Sequence, residues 1–140
     1  MHPDVERIAR KTFILAQRHR YAAVVKELEA WPHLLDELGD VLIGWIDIGI
    51  NSGTLPPVGE PAVLHFSDED TGQVIGIDQV HPATAWAARL INARLADDEA
   101  GFDALWQAAP DMWHELCEYV ISLVALCCHA DWAGRTPEGR

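Results

Sequence analysis

Positive charge is scarce in this chain. Two lysines and eight arginines face 22 acids over 140 residues, for a net charge of −12. Phosphate backbones recruit Lys and Arg, so this balance argues against direct binding of DNA or RNA. It leaves open the reverse role, in which an acidic surface imitates a polyanion and occupies the groove of a DNA-binding protein. Cysteine is scarce too: Cys117, Cys127 and Cys128 form no CxxC pair and are odd in number. A disulfide framework is thereby excluded, and three core thiols in a reducing compartment are expected. The longest apolar run, YVISLVALCC at 119–128, has 10 residues, whereas a helix needs about 20 to cross a bilayer. No apolar segment follows the charges of MHPDVERIARK, so no secretory signal is expected. The expectation is a cytoplasmic protein with no membrane contact.

The usual catalytic signatures are missing as well. The chain has no P-loop, no GxGxxG and no GxSxG, and Ser52, Ser67 and Ser122 lack the strand–turn–helix context of a nucleophile. HELCE, at 114–118, carries Glu118 where a zinc-protease helix needs its second histidine. Catalytic residues and a resident cofactor are therefore not expected.

What is present is the material of a packed domain. Hydrophobic residues make up 49% of the chain and charged residues 23%, a globular balance at a length that buries a sizeable core. One α-rich domain is expected over 1–134, with about five helices, a single β-hairpin near 62–78 and a flexible tail over 135–140. Residues 1–26 hold six of the ten basic residues and only two acids. Val5, Ile8, Thr12, Leu15 and Ala16 recur there at helical spacing, giving a helix with a basic outer surface, and a second helical segment continues toward Glu29. Trp31-Pro32 breaks it, and a second long helix is predicted from Pro32 to about Ile50. The segment NSGTLPPVGEP then reads as a loop. AVLHFSDEDTGQVIGID reads as two strands about a DEDTG turn, which on their own are marginal and must rest on helices or on a second subunit. Pro82 opens the next helix, EAGFDALWQ forms a short one ended by Pro110, and the last helix follows Asp111.

Two of these helices carry polar stripes. At about 100° per residue, His33, Asp36, Glu37, Asp40, Gly44, Asp47 and Asn51 fall in one narrow sector of an otherwise apolar helix. Asp111, His114, Glu115, Glu118, Ser122 and His129 do the same on the last helix. The simplest reading is a solvent edge. The alternative is a divalent-cation site, since carboxylates three apart on neighbouring helices can converge on Mg²⁺ or Mn²⁺. Six tryptophans are many for this length. Trp45, Trp86, Trp106 and Trp113 sit at apolar helical positions and are expected in the core, with surplus apolar surface that a homodimer would cover.

DELGDVL resembles the ExxD half of the MazG-type nucleoside triphosphate pyrophosphohydrolases, with Glu37 and Asp40 matching that pair. The resemblance implies an all-α enzyme holding Mg²⁺ or Mn²⁺ against substrate phosphates. The ExxE pair that it requires upstream has no counterpart, because residues 9–25 contain no acid. Glu115 and Glu118 form an ExxE far downstream. From the hairpin onward, DEDTGQVIGIDQVHPATAWAARLINARLADDEAGFDALW resembles uncharacterised small α-rich proteins of actinobacteria and their phages. That resemblance spans residues ~62–106 and implies a cytosolic accessory protein, phage-encoded and directed at a host protein. The function expected is therefore protein–protein interaction, through Asp36, Glu37, Asp40, Asp47 and the loop 51–61, by a homodimer of α-rich class. The alternatives are the metal-dependent pyrophosphohydrolase, using Glu37, Asp40, Glu115 and Glu118, and the DNA-mimic inhibitor.

Overall fold

A computed structural model describes residues 3–32, 34–59, 66–67, 71, 73–76 and 80–130. Among them are six helices: α1 (Pro3–Gln17), α2 (Tyr21–Glu29), α3 (Leu34–Ser52), α4 (Pro82–Leu95), α5 (Glu99–Gln107) and α6 (Trp113–His129). The compact helical class agrees with expectation, while the expected count of about five becomes six. The break between α1 and the second helical segment, α2, lies in QRHRY. There α1 ends with the amide of His19 donating to Ala16 O at 2.9 Å and that of Arg20 to Leu15 O at 2.9 Å. This paired closure requires a left-handed residue, and His19 supplies it at φ 57°. No glycine or proline marks the place, so periodicity does not fix where the first segment ends and the second begins.

Between α3 and α4, β1 (Phe66–Ser67) and β2 (Val74–Ile75) pair antiparallel, with Phe66 opposite Ile75. Most of the remaining hairpin range 62–78, and the whole expected tail 135–140, lie outside the described residues.

The core draws on all six helices. On α1, Val5, Ala9, Thr12, Phe13 and Ala16 are buried, a stripe with steps of three and four as an amphipathic helix requires. On α3, Val41, Leu42, Trp45 and Ile46 are fully buried within the one chain. Helix α4 is buried nearly all round, with Arg89 its exposed side chain past the first turn. Its N-terminus is capped by His81, whose Nδ1 accepts from the Ala83 amide at 3.1 Å. Trp45 and Trp86 are core residues as expected, whereas Trp106 and Trp113 are half-buried at its edge.

Helix α6 is the hub, packing on α1, α2, α3 and α4. It starts beside the end of α2, where the Trp113 indole donates to Glu29 at 2.9 Å. It finishes beside the end of α3, where a Cβ on Gly49 would lie 3.1 Å from the Cys127 carbonyl oxygen. The two helices therefore run parallel. The loop after α3 is tied down: Thr54 Oγ1 donates to Cys127 O at 2.7 Å, Leu55 is buried, and the Gly59 amide donates to Leu95 O at 2.8 Å. Of the loop 51–61 read as contact surface, Leu55 and Pro56 are thus interior, with Asn51 to Gly53 and Pro57 to Gly59 exposed.

Candidate functional site

The acidic stripe of α3 borders α5. A Cβ on Gly39 would lie 3.5 Å from the Trp106 indole nitrogen, and Ile43 shares a cavity with Phe102 and Asp103. Helix α5 therefore runs antiparallel along α3 at this seam. Asp36 and Asp40 are exposed there, with no ion pair among the described residues. Glu37 is half-buried, and its Oε2 is buried with no hydrogen-bond partner among the described residues. His33 lies outside the described residues.

Asp47 behaves differently. Its two oxygens take the Nε and Nη2 of Arg94 at 3.1 Å each, a bidentate clamp from α3 to α4. The hydrogen bond to Asp47 is the main influence raising the Arg94 pKa, opposed by burial and reinforced by the charges of Asp47, Asp97 and Glu99. The cavity at this corner, of about 210 Å³, has an apolar floor of Ile43, Ala93 and Phe102 beneath Asp97, Asp98, Glu99 and Asp103. Asp98 is also the α5 cap, accepting from the Gly101 amide at 2.9 Å. Asp47, Asp97 and Glu99 thus act on one guanidinium, while Asp98 and Asp103 share the cavity with it.

The stripe on α6 faces elsewhere. Glu118 precedes Cys127 by nine residues, about two and a half turns, which puts it on the side of α6 opposite the α3 contact. Its Oε1 receives the Nε2 of His81 at 3.1 Å, and because Nδ1 of that ring accepts from Ala83, Nε2 carries the proton. Glu115 is exposed. Glu37, Asp40, Glu115 and Glu118 therefore do not form one set, and among the described residues no group of three or more His, Cys, Asp or Glu could hold a metal ion. Nor is any helix among the described residues long and apolar enough to cross a membrane.

Sequence reading missed the α5 half of this face. DDEAGFD registers as a helix start, and Arg94 steps in phase with the apolar line of α4. Only the approach of α5 to α3 brings these charges beside Asp47. No family model, curated protein or solved structure matches the chain.

Proposed function

We propose that this chain acts by protein contact, and that its binding face is the acidic seam of α3 and α5. What supports the reading most directly is that Asp36 and Asp40 stand exposed without a cationic partner among the described residues, one turn apart on a helix. Like charges at that spacing cost a few tenths of a kcal/mol unless something offsets them. A basic partner surface would supply that offset and speed encounter. Asp47 serves the face indirectly, by holding Arg94. The accessory role in the cytoplasm and the phage origin directed at a host protein belong to the same proposal. So does a homodimer, in which the short β1–β2 pair gains a second surface to rest on.

The test is capture by the immobilised chain, compared with Asp36→Lys/Asp40→Lys. The expected outcome is a partner held at low salt, released at high salt, and bound at least tenfold more weakly by the variant. An unchanged partner set would overturn the assignment. Release by duplex DNA would recast the face as a DNA mimic. Light scattering on the purified chain reads the dimer.

A second reading has one observation in its favour. The orphaned Oε2 of Glu37, one turn from Asp40, is the kind of buried acceptor that an ion or water satisfies. Mg²⁺ is commonly held by one or two carboxylates plus substrate phosphates, so Glu37 and Asp40 could hold Mg²⁺ or Mn²⁺ without the α6 pair. Bound there, the ion would supply charge neutralisation to a triphosphate. A metal-dependent rise in melting temperature, lost in Glu37→Gln, supports this reading, and its absence removes it.

A further inference from the structure

Helix α6 carries no charge over its middle. Between Glu118 and His129 the sequence runs YVISLVALCC, 10 residues without Asp, Glu, Lys, Arg or His. That is about three turns, so every face of the helix is uncharged there. A helix that is apolar all round is a helix covered all round. The chain supplies cover on the inner side, where Val120, Leu123, Val124, Cys127 and Cys128 are buried. On the outer side Ile121, Ser122, Ala125 and Leu126 stay partly exposed. They floor an open groove of about 420 Å³, between Thr84 of α4 and Tyr21 of α2. The Ser122 hydroxyl donates to Glu118 O at 2.8 Å, so its own helix already satisfies it.

The two ends of the groove differ in charge. Toward the start of α6, Asp111, Glu115 and Glu118 are exposed, and Glu115 has no ion pair among the described residues. At the other end the turn between α1 and α2 lies against His129, whose ring stacks on His19 at 4.4 Å and whose Nε2 is 3.2 Å from Ala16 O. That turn carries Arg18 and Arg20, both exposed and without an ion pair among the described residues. The arginines stand beyond the end of the groove and not on its floor, where the charged rim of an interface belongs.

A fitting partner has an apolar centre, a basic end for these acids and an acidic end for these arginines. A second copy of the same groove, turned end for end, has that pattern. Glu115 and His129 lie seven residues either side of Ser122, about 10 Å each way along the helix. A twofold axis at Ser122 therefore sets Glu115 of each copy beside the arginine-bearing turn of the other. Parallel helices would instead set acid on acid. A twofold contact also closes on itself and leaves neither groove open.

We infer that two copies of this chain pair by antiparallel packing of α6 in this groove, about a twofold axis at Ser122. The inference rests on the homodimer reading above and gives it an interface, while the α3–α5 seam stays free for a different partner.

Sedimentation velocity on the full chain reads the mass. The wild type is expected as a dimer, and Ser122→Glu and Ala125→Glu should each weaken it at least tenfold by burying a charge at the contact. Their circular dichroism should be unchanged, since both side chains lie on the outer face. Arg18→Glu/Arg20→Glu should weaken the dimer about fivefold at low salt, and adding Glu115→Arg should restore most of that loss. Oxidative cross-linking in a Cys117→Ser background reads the register. Ser122→Cys should link to its own counterpart, whereas Glu115→Cys should link to His129→Cys of a second chain and not to itself. A monomeric wild type would overturn this inference together with the homodimer reading. A dimer indifferent to both glutamate variants would overturn this inference alone, and so would self-linking of Glu115→Cys.

Discussion

Thr12 is the buried polar side chain among the described residues, fully enclosed within the apolar stripe of α1. Its hydroxyl donates to Ile8 O at 2.6 Å and accepts from the Trp45 indole at 2.9 Å, joining α1 to α3 across 33 residues of sequence. Thr12→Val keeps the shape and removes the acceptor. The buried indole N–H is then unsatisfied, and a loss of about 1–3 kcal/mol in urea denaturation is expected. Adding Trp45→Phe removes the stranded donor as well, so the double variant should lose less than the sum of the singles. Sequence periodicity placed Thr12 on the inner face but could not reveal why a hydroxyl is tolerated there, because its partner is distant in the chain. His19 was less legible still. Its neighbours Arg18 and Arg20 are ordinary helix residues, and nothing local distinguishes a histidine that will turn left-handed.

Glycine contrast within α3 tests how closely the helices approach. A Cβ on Gly49 would lie 2.9 Å from Leu55 Cδ1 and 3.1 Å from the Cys127 carbonyl oxygen. Leu55 is itself buried, so Gly49→Ala should overpack the α3–α6 contact and cost about 1–3 kcal/mol. At Gly39 the nearest atom is the Trp106 indole nitrogen at 3.5 Å, an ordinary contact. Gly39→Ala should therefore raise stability by about 0.5–1 kcal/mol through helix propensity. Thermal melts of the pair read both signs, and equal effects would refute the packing described for α3. The long helices were legible because apolar steps of three and four persist over several turns. The direction of each polar stripe was not. Whether Glu118 faces Asp40 depends on which side of α6 meets α3, and that is decided by Gly49, Leu55 and Cys127 together.

For the molecule as a whole, alkaline pH is the sensitive direction. Burial raises all three thiols: Cys127 well above the ordinary 9.0, with the charges of Cys128 and Asp47 adding to it, Cys128 to about 12, and Cys117 upward with help from Glu29. Burial likewise raises the Tyr21 pKa above 10.0, with a contribution from Cys128. In the unfolded chain these groups ionise first, so that state binds fewer protons and stability falls as pH rises. The contribution is intact below about pH 9 and is lost toward pH 12, at about 1.4 kcal/mol per pH unit for each of the buried Cys127 and Cys128 while it is ionised only in the unfolded chain. Chemical denaturation at pH 7, 9 and 11 should show this decline, and Cys127→Ala/Cys128→Ala should flatten it. A profile as steep in the double variant would assign the decline to other groups. The charge asymmetry of the chain was visible in its composition, whereas the expectation of three core thiols holds for Cys127 and Cys128 but not for Cys117, which is half-buried where α6 lies among four other helices.

That placement bears on how the protein is born. Helix α6 packs on α1, α2, α3 and α4, so during synthesis the earlier helices emerge with their inner faces bare and wait for the last one. A nascent chain halted before Trp113 should bind hydrophobic dyes and chaperones, then lose both once His129 has cleared the ribosome. Assembly of this domain waits on the emergence of α6.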